Sequence, residues 1–137
     1  MATTLRADLY VAPPIPWAKP NGQQGGVWSP ISCTLIHGSE EAVLVDTPIT
    51  TSQTESLVAW IKERIPTKKL VKIYITHGHG DHWFGEPTLM KHFPNAVPIA
   101  TPKVVAYIKE HLRNRMGVMG NAVPWSNRRT KVPPATV

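Results

Sequence analysis

At 137 residues with 42% apolar content, the chain has room for one domain with a modest core and is too hydrophobic to be disordered over most of its length. The formal charge of +6 is uneven: residues 1–110 hold ten Lys/Arg against all nine Asp/Glu, whereas 111–137 hold Arg113, Arg115, Arg128, Arg129 and Lys131 against no acid. A basic stripe along the domain, the footprint of a nucleic-acid surface, is therefore missing, and nucleic acid is not the expected partner.

In chain order, Leu5 to Ala12 alternates loosely and stops at Pro13-Pro14, which predicts a first strand. Residues Pro16 to Gly26 are rich in proline, glycine and amides and read as a loop, either a plain connector or a cover for a site. Trp28 to Ile36 and Glu41 to Asp46 read as the two strands of a hairpin around His37-Gly38-Ser39-Glu40. That turn places His37 in solvent. Cys33, the single cysteine, lies in an apolar run, so it reads as a small buried hydrophobe and excludes an internal disulfide. A reducing compartment, the cytoplasm, fits that, and Met1 to Tyr10 lacks the apolar segment of a secretory signal. No run approaches the roughly 20 apolar residues of a membrane span.

Thr51 to Ile65 is the clearest helix, with Ser52-Gln53-Thr54-Glu55 in capping-box form and Leu57, Val58, Trp60, Ile61 and Ile65 at core spacing. Leu70 to Thr76 follows as a buried strand, rich in β-branched and aromatic residues. Glu86 to Phe93 is a short helix with Pro87 in its first turn, and His92 on it reads as a surface residue. Val97 to Ala100 is a short strand. Thr101 caps a last helix from Pro102 to about Arg115, whose buried stripe is Val104, Val105, Ile108 and Leu112. That helix packs on the outer face of the sheet, so His111 is not expected to ligate a metal. The order strand, hairpin, helix, strand defines a mixed α/β domain over residues 1–116, followed by an irregular basic tail over 117–137. In that tail acids vanish and periodicity stops, as a shifted reading frame, an unspliced intron or a genuine partner-binding tail would each produce.

Chemistry concentrates in His77-Gly78-His79-Gly80-Asp81-His82, directly after the strand Leu70 to Thr76. Imidazole nitrogen and carboxylate oxygen are ligands zinc takes at about 2.0–2.2 Å. His77 and His79, two apart on extended backbone, point the same way and can share an ion. Asp81 and His82 follow a further turn and are free to face a second. The two glycines let the backbone turn and keep side chains clear of a metal. Trp83 and Phe84 then either wall a pocket or pack beneath the loop.

The string from His77 to Gly85 resembles the metal-binding motif of the metallo-β-lactamase superfamily, and Asp46 resembles the aspartate that braces the family's metal loop. The resemblance runs from about Trp28 to Arg115. It implies an αββα sandwich, two zinc ions, and hydrolysis of a small-molecule lactam, lactone, ester or thioester. His77 and His79 would hold the first zinc and Asp81 with His82 the second, Asp81 also orienting the attacking water. The family completes its site with later histidines and an aspartate. This chain has no histidine past His111 and no aspartate past Asp81. The expectation is therefore an incomplete sandwich, one αβ half, carrying half a metal site and weak or absent turnover on its own. An uncovered sheet face would then invite self-association. A non-catalytic metal-binding remnant is the second reading, and a nucleic-acid-processing member the third.

Overall fold

The computed structural model describes residues 4–118, with side chains through Arg113. A five-stranded sheet in the order β1-β4-β5-β6-β7 is built from β1 (Arg6–Ala12), β4 (Ile31–His37), β5 (Glu41–Val45), β6 (Lys69–Tyr74) and β7 (Val97–Ile99). β1, β4 and β5 pair antiparallel, whereas β5, β6 and β7 run parallel. The parallel strands are joined through α1 (Thr51–Arg64) and α2 (Glu86–His92), and α3 (Pro102–Val118) closes the described chain. Both crossovers step in the same direction along the sheet, so the right-handed rule puts their helices on one face.

Residue parity divides the sheet into a core face and an open face. Leu35, Leu44 and Ile73 stand in register on the core face and are completely buried. They join Leu57, Val58 and Ile61 of α1, Leu89 of α2, and Val105 and Ile108 of α3 in one cluster. The opposite face carries the rows Leu9, Thr34, Val45, Tyr74, Ile99 and Ala7, Ile36, Val43, Lys72, Val97. Each of these is half-buried or exposed, Leu9 at 62%. The α/β half-sandwich expected from the sequence is what forms: helices on one side, a largely apolar sheet face on the other.

Three local expectations are corrected. The stretch read as a loop is a hairpin of its own, β2 (Ile15–Ala18) against β3 (Gln24–Trp28). Gly25 is there for packing, since the Trp17 ring lies where its Cβ would be, whereas Gly22 serves the turn with a left-handed φ of 81°. Gln53 ties the hairpin's base to α1 by donating to the Pro13 carbonyl at 2.8 Å. The capping box sits two residues earlier than the pattern Ser52 to Glu55 suggests. Thr50 Oγ1 accepts from the Gln53 backbone at 3.2 Å, and the Gln53 side chain reaches back to the Thr50 backbone. Glu55 is instead engaged by His92 of α2 at 2.8 Å. His37, finally, is not a solvent-exposed turn residue. β4 continues through it, and its ring is 5% exposed between Asp8 and Lys68.

Helix α3 runs to Val118, the last described residue. The remainder of the basic stretch, 119–137, lies outside the described residues.

Glu86 opens α2 with its side chain 4% exposed, and burial pushes its carboxyl up to about 7. The fold thus binds a proton that the unfolded chain releases near 4.5. The contribution of Glu86 to stability is therefore complete below pH 4.5, falls as pH rises towards 7, and is lost above it; the difference is about 3 kcal/mol at 1.36 kcal/mol per pKa unit. Glu86→Gln should flatten this slope in urea titrations across pH 4–8. A variant as pH-sensitive as the wild type would show that Glu86 is not its source.

Candidate metal centre

Parallel neighbours β5 and β6 end side by side, and the centre is built from the residues just past their carboxyl ends. Asp46, next after β5, adopts a left-handed φ of 63° and is 6% exposed. Its Oδ1 accepts from the Thr76 backbone N–H at 2.8 Å, and its Oδ2 accepts from Thr76 Oγ1 at 2.7 Å and from His82 Nδ1 at 2.9 Å. The backbone is stitched as well, since Asp46 N–H donates to Tyr74 and Thr47 N–H to the His82 carbonyl.

These bonds fix tautomers. Thr76 gives its only hydroxyl proton to Asp46, so at the 2.8 Å contact with His77 Nδ1 it must accept, and His77 carries its proton on Nδ1. His82 likewise donates from Nδ1 to Asp46. In both neutral rings the Nε2 lone pair is left free, the arrangement by which outer partners orient metal-binding imidazoles. Burial holds His77 below the ordinary imidazole value, and the neighbouring His82 adds to the effect.

The four residues singled out in the sequence converge on one rim. The His77 ring centroid lies 4.9 Å from that of His79 and 4.1 Å from that of His82. Asp81 and His82 share the 3₁₀ turn Gly80–His82, with Oδ2 of one 3.9 Å from Nε2 of the other. That separation is within the ~4.2 Å spanned by two ligand bonds of about 2.1 Å, so one ion can touch both. Asp46, His77 and His82 form the group of three among the described residues whose ligand atoms all lie within 4.8 Å of one another; His79 and Asp81 stand outside it. The hydrogen bonds already made by both Asp46 oxygens suit it to bracing the imidazoles. The donor set of imidazole and carboxylate fits zinc.

The glycines of the motif serve a purpose different from the turn expected of them. Neither has a positive φ. A Cβ on Gly78 would overlap the Tyr107 ring, and one on Gly80 the Phe84 ring. Trp83 is buried beneath the loop and donates from Nε1 to the Gly78 carbonyl at 3.0 Å. Tyr107 escaped the sequence reading, although its place four residues before His111 puts both on one face of α3. His111 stacks on Tyr107 at 4.4 Å, and Tyr107 in turn meets His79 at 6.2 Å.

A family model of the metallo-beta-lactamase superfamily matches residues 26–134, and the chain belongs to that superfamily. The fold is shared with solved metallo-beta-lactamases. One from Hirschia baltica aligns at TM-score 0.56 and 21% identity, covering 81% of this chain and 48% of that one. FIM-1 from Pseudomonas aeruginosa, in a mono-zinc form, aligns at 0.52 and 18%, covering 80% and 46%. DIM-1, exposed to ceftazidime, aligns at 0.55 and 21%, covering 79% and 48%. The chain spans about half the length of each. No curated protein matches it. Among the described residues no helix is long and apolar enough to cross a membrane.

Replacing Asp46 by Ala would strip the acceptor from Thr76 and His82 and place a Cβ residue without a polar side chain in the left-handed region. A loss of about 3 kcal/mol is expected, with Asp46→Asn losing less because it keeps one acceptor oxygen. Denaturant midpoints of the three proteins check the order.

Proposed function

We propose that the chain is a metal-dependent hydrolase module in which His77 and His79 hold one zinc ion and Asp81 with His82 a second. The substrate would be a small-molecule lactam, lactone, ester or thioester. One observation carries the reading: three imidazoles and a carboxylate meet at the carboxyl ends of parallel strands, with two of the rings tautomerically fixed through Asp46. Bound zinc would supply Lewis acidity, polarising a carbonyl and making water acidic near neutral pH. The chain's own residues supply orientation. Asp46 and Thr76 hold the His77 and His82 rings, and the Asp81 carboxylate, part-exposed at the rim, orients the attacking water. Water adds to the carbonyl, the acyl bond breaks, and a proton of the water passes to the leaving nitrogen, oxygen or sulfur.

Within these 137 residues no aspartate follows Asp81 and no histidine follows His111, so the isolated chain is expected to hold metal more firmly than it turns over substrate. The lone cysteine supports the cytoplasm as its compartment. Zinc titration by calorimetry should show binding that His79→Ala weakens at least about tenfold. A model lactam or ester should be hydrolysed no faster by the purified chain than by that variant. No zinc uptake sinks the metal reading; robust chelator-sensitive turnover shows that the site is completed. Uptake without turnover favours a non-catalytic metal-binding module.

The open sheet face supports self-association with a second copy as part of the same reading. Five strands at ~4.8 Å make a face about 20–25 Å wide, and two such faces stacked ~10 Å apart bury on the order of 1,000 Å², the low end for a specific interface. Val43→Lys, on that face and only half-buried, should shift sedimentation towards monomer. A wild type that is monomeric at all concentrations removes this element.

A further inference from the structure

The imidazoles of the centre are not held alike. His77 is fixed through Thr76, and His82 through Asp46. His79 is exposed, and the contacts its ring makes among the described residues are with other rings: His77 at 4.9 Å and Tyr107 at 6.2 Å, the latter edge-on at 69°. Tyr107 is itself confined from two sides. Its inner edge fills the space that the missing Cβ of Gly78 leaves open. Its outer face is stacked on His111 at 4.4 Å and 25°, with the hydroxyl 3.4 Å from His111 Nε2.

We infer that Tyr107 is a positioning residue for the metal centre, orienting the His79 imidazole by ring packing where the other two rings are oriented by hydrogen bonds. His111 serves the same end one step further out, by fixing Tyr107. The inference rests on His79 being a ligand, as proposed above. Among the described residues neither nitrogen of this ring has a hydrogen-bond partner, so ring packing is what limits which way it points there. Tyr107 is 38% exposed, so its side chain contributes orientation with little core volume.

Three variants test this: Tyr107→Leu, which removes the flat ring; Tyr107→Phe, which keeps it; and Gly78→Ala. The last has no backbone strain to overcome, yet its methyl would displace the Tyr107 ring. Two readouts apply, namely cobalt(II) affinity from its visible absorption and the ring-current shift of the His79 ring protons in metal-free protein. Tyr107→Leu and Gly78→Ala are expected to weaken cobalt binding by about tenfold, in the range of outer-partner losses, and to move the His79 signals, with circular dichroism unchanged. Tyr107→Phe should match the wild type in both. Cobalt held equally by wild type and Tyr107→Leu overturns this inference alone. A wild type that takes up no cobalt overturns the metal reading and this inference with it.

Discussion

A buried carboxylate at the end of β5 has to be surrounded by donors, because an ionised group out of water without hydrogen bonds is several kcal/mol too costly to keep. Asp46 meets that requirement with donors from one loop only, Thr76 N–H, Thr76 Oγ1 and His82 Nδ1. The consequence is geometric. The loop after β6 is pinned at both ends, because Thr76 near its start and His82, its last histidine, both reach the same two oxygens. The left-handed turn at Asp46 aims the carboxylate along the sheet's rim, towards β6. An aspartate tolerates that conformation better than most residues. The cluster of ligands is thus first a solution to the burial of one charge, and the orientation of His77 and His82 comes with it.

The sheet beneath explains why the cluster sits where it does. Helices α1, α2 and α3 contribute to a single core on one face, and the pleat sends every second residue to the other. Tyr74 belongs to the open face, and Thr76, two residues on, has the same parity and is exposed. The centre therefore lies at the border between the open face and the rim. Any body that covers the apolar rows through Val45 and Tyr74 would also come up against the histidines. In a two-layer fold that is where a second set of ligands can arrive from, which ties the open face to the chemistry of the site.

Much of this was legible in the sequence because it is written in short range. The ligand spacing, the helical stripe of α1 and the β-branched run of β6 each lie within a few residues, and Asp46 was readable through its likeness to a family pattern. The features that stayed hidden depend on distant partners. The β2–β3 hairpin was masked by its proline and glycine content, since Gly25 is there to admit the Trp17 ring and not to loosen the chain. The cap of α1 lies at Thr50 with Gln53, and Glu55 pairs with His92, 37 residues away, on α2. Gly78 and Gly80 read as space for a metal, yet aromatic rings fill that space, one of them from α3. Local patterns fix element types; packing across the fold decides what the small residues are for.

His37 shows which property separates a structural imidazole from a functional one here. Like His82 it lies against an aspartate, with Nε2 2.9 Å from Asp8 Oδ2. Its other nitrogen, however, faces Lys68 Nζ at 2.8 Å. An ammonium can only donate, so His37 accepts at Nδ1 and donates at Nε2, and nothing remains to offer a metal or a substrate. The pairing holds Asp8 below the usual carboxylate range, with Arg64 at 4.0 Å assisting, and clamps β1 to β4 and to the segment entering β6. Burial does not distinguish the two kinds of histidine, since His37 is the more buried; nor does a carboxylate neighbour, since both have one. The unused Nε2 does. It exists on His77 and His82 only because Thr76 and Asp46 take up Nδ1 and leave the opposite side of each ring open at the rim, and no count of histidines along the chain could have revealed it.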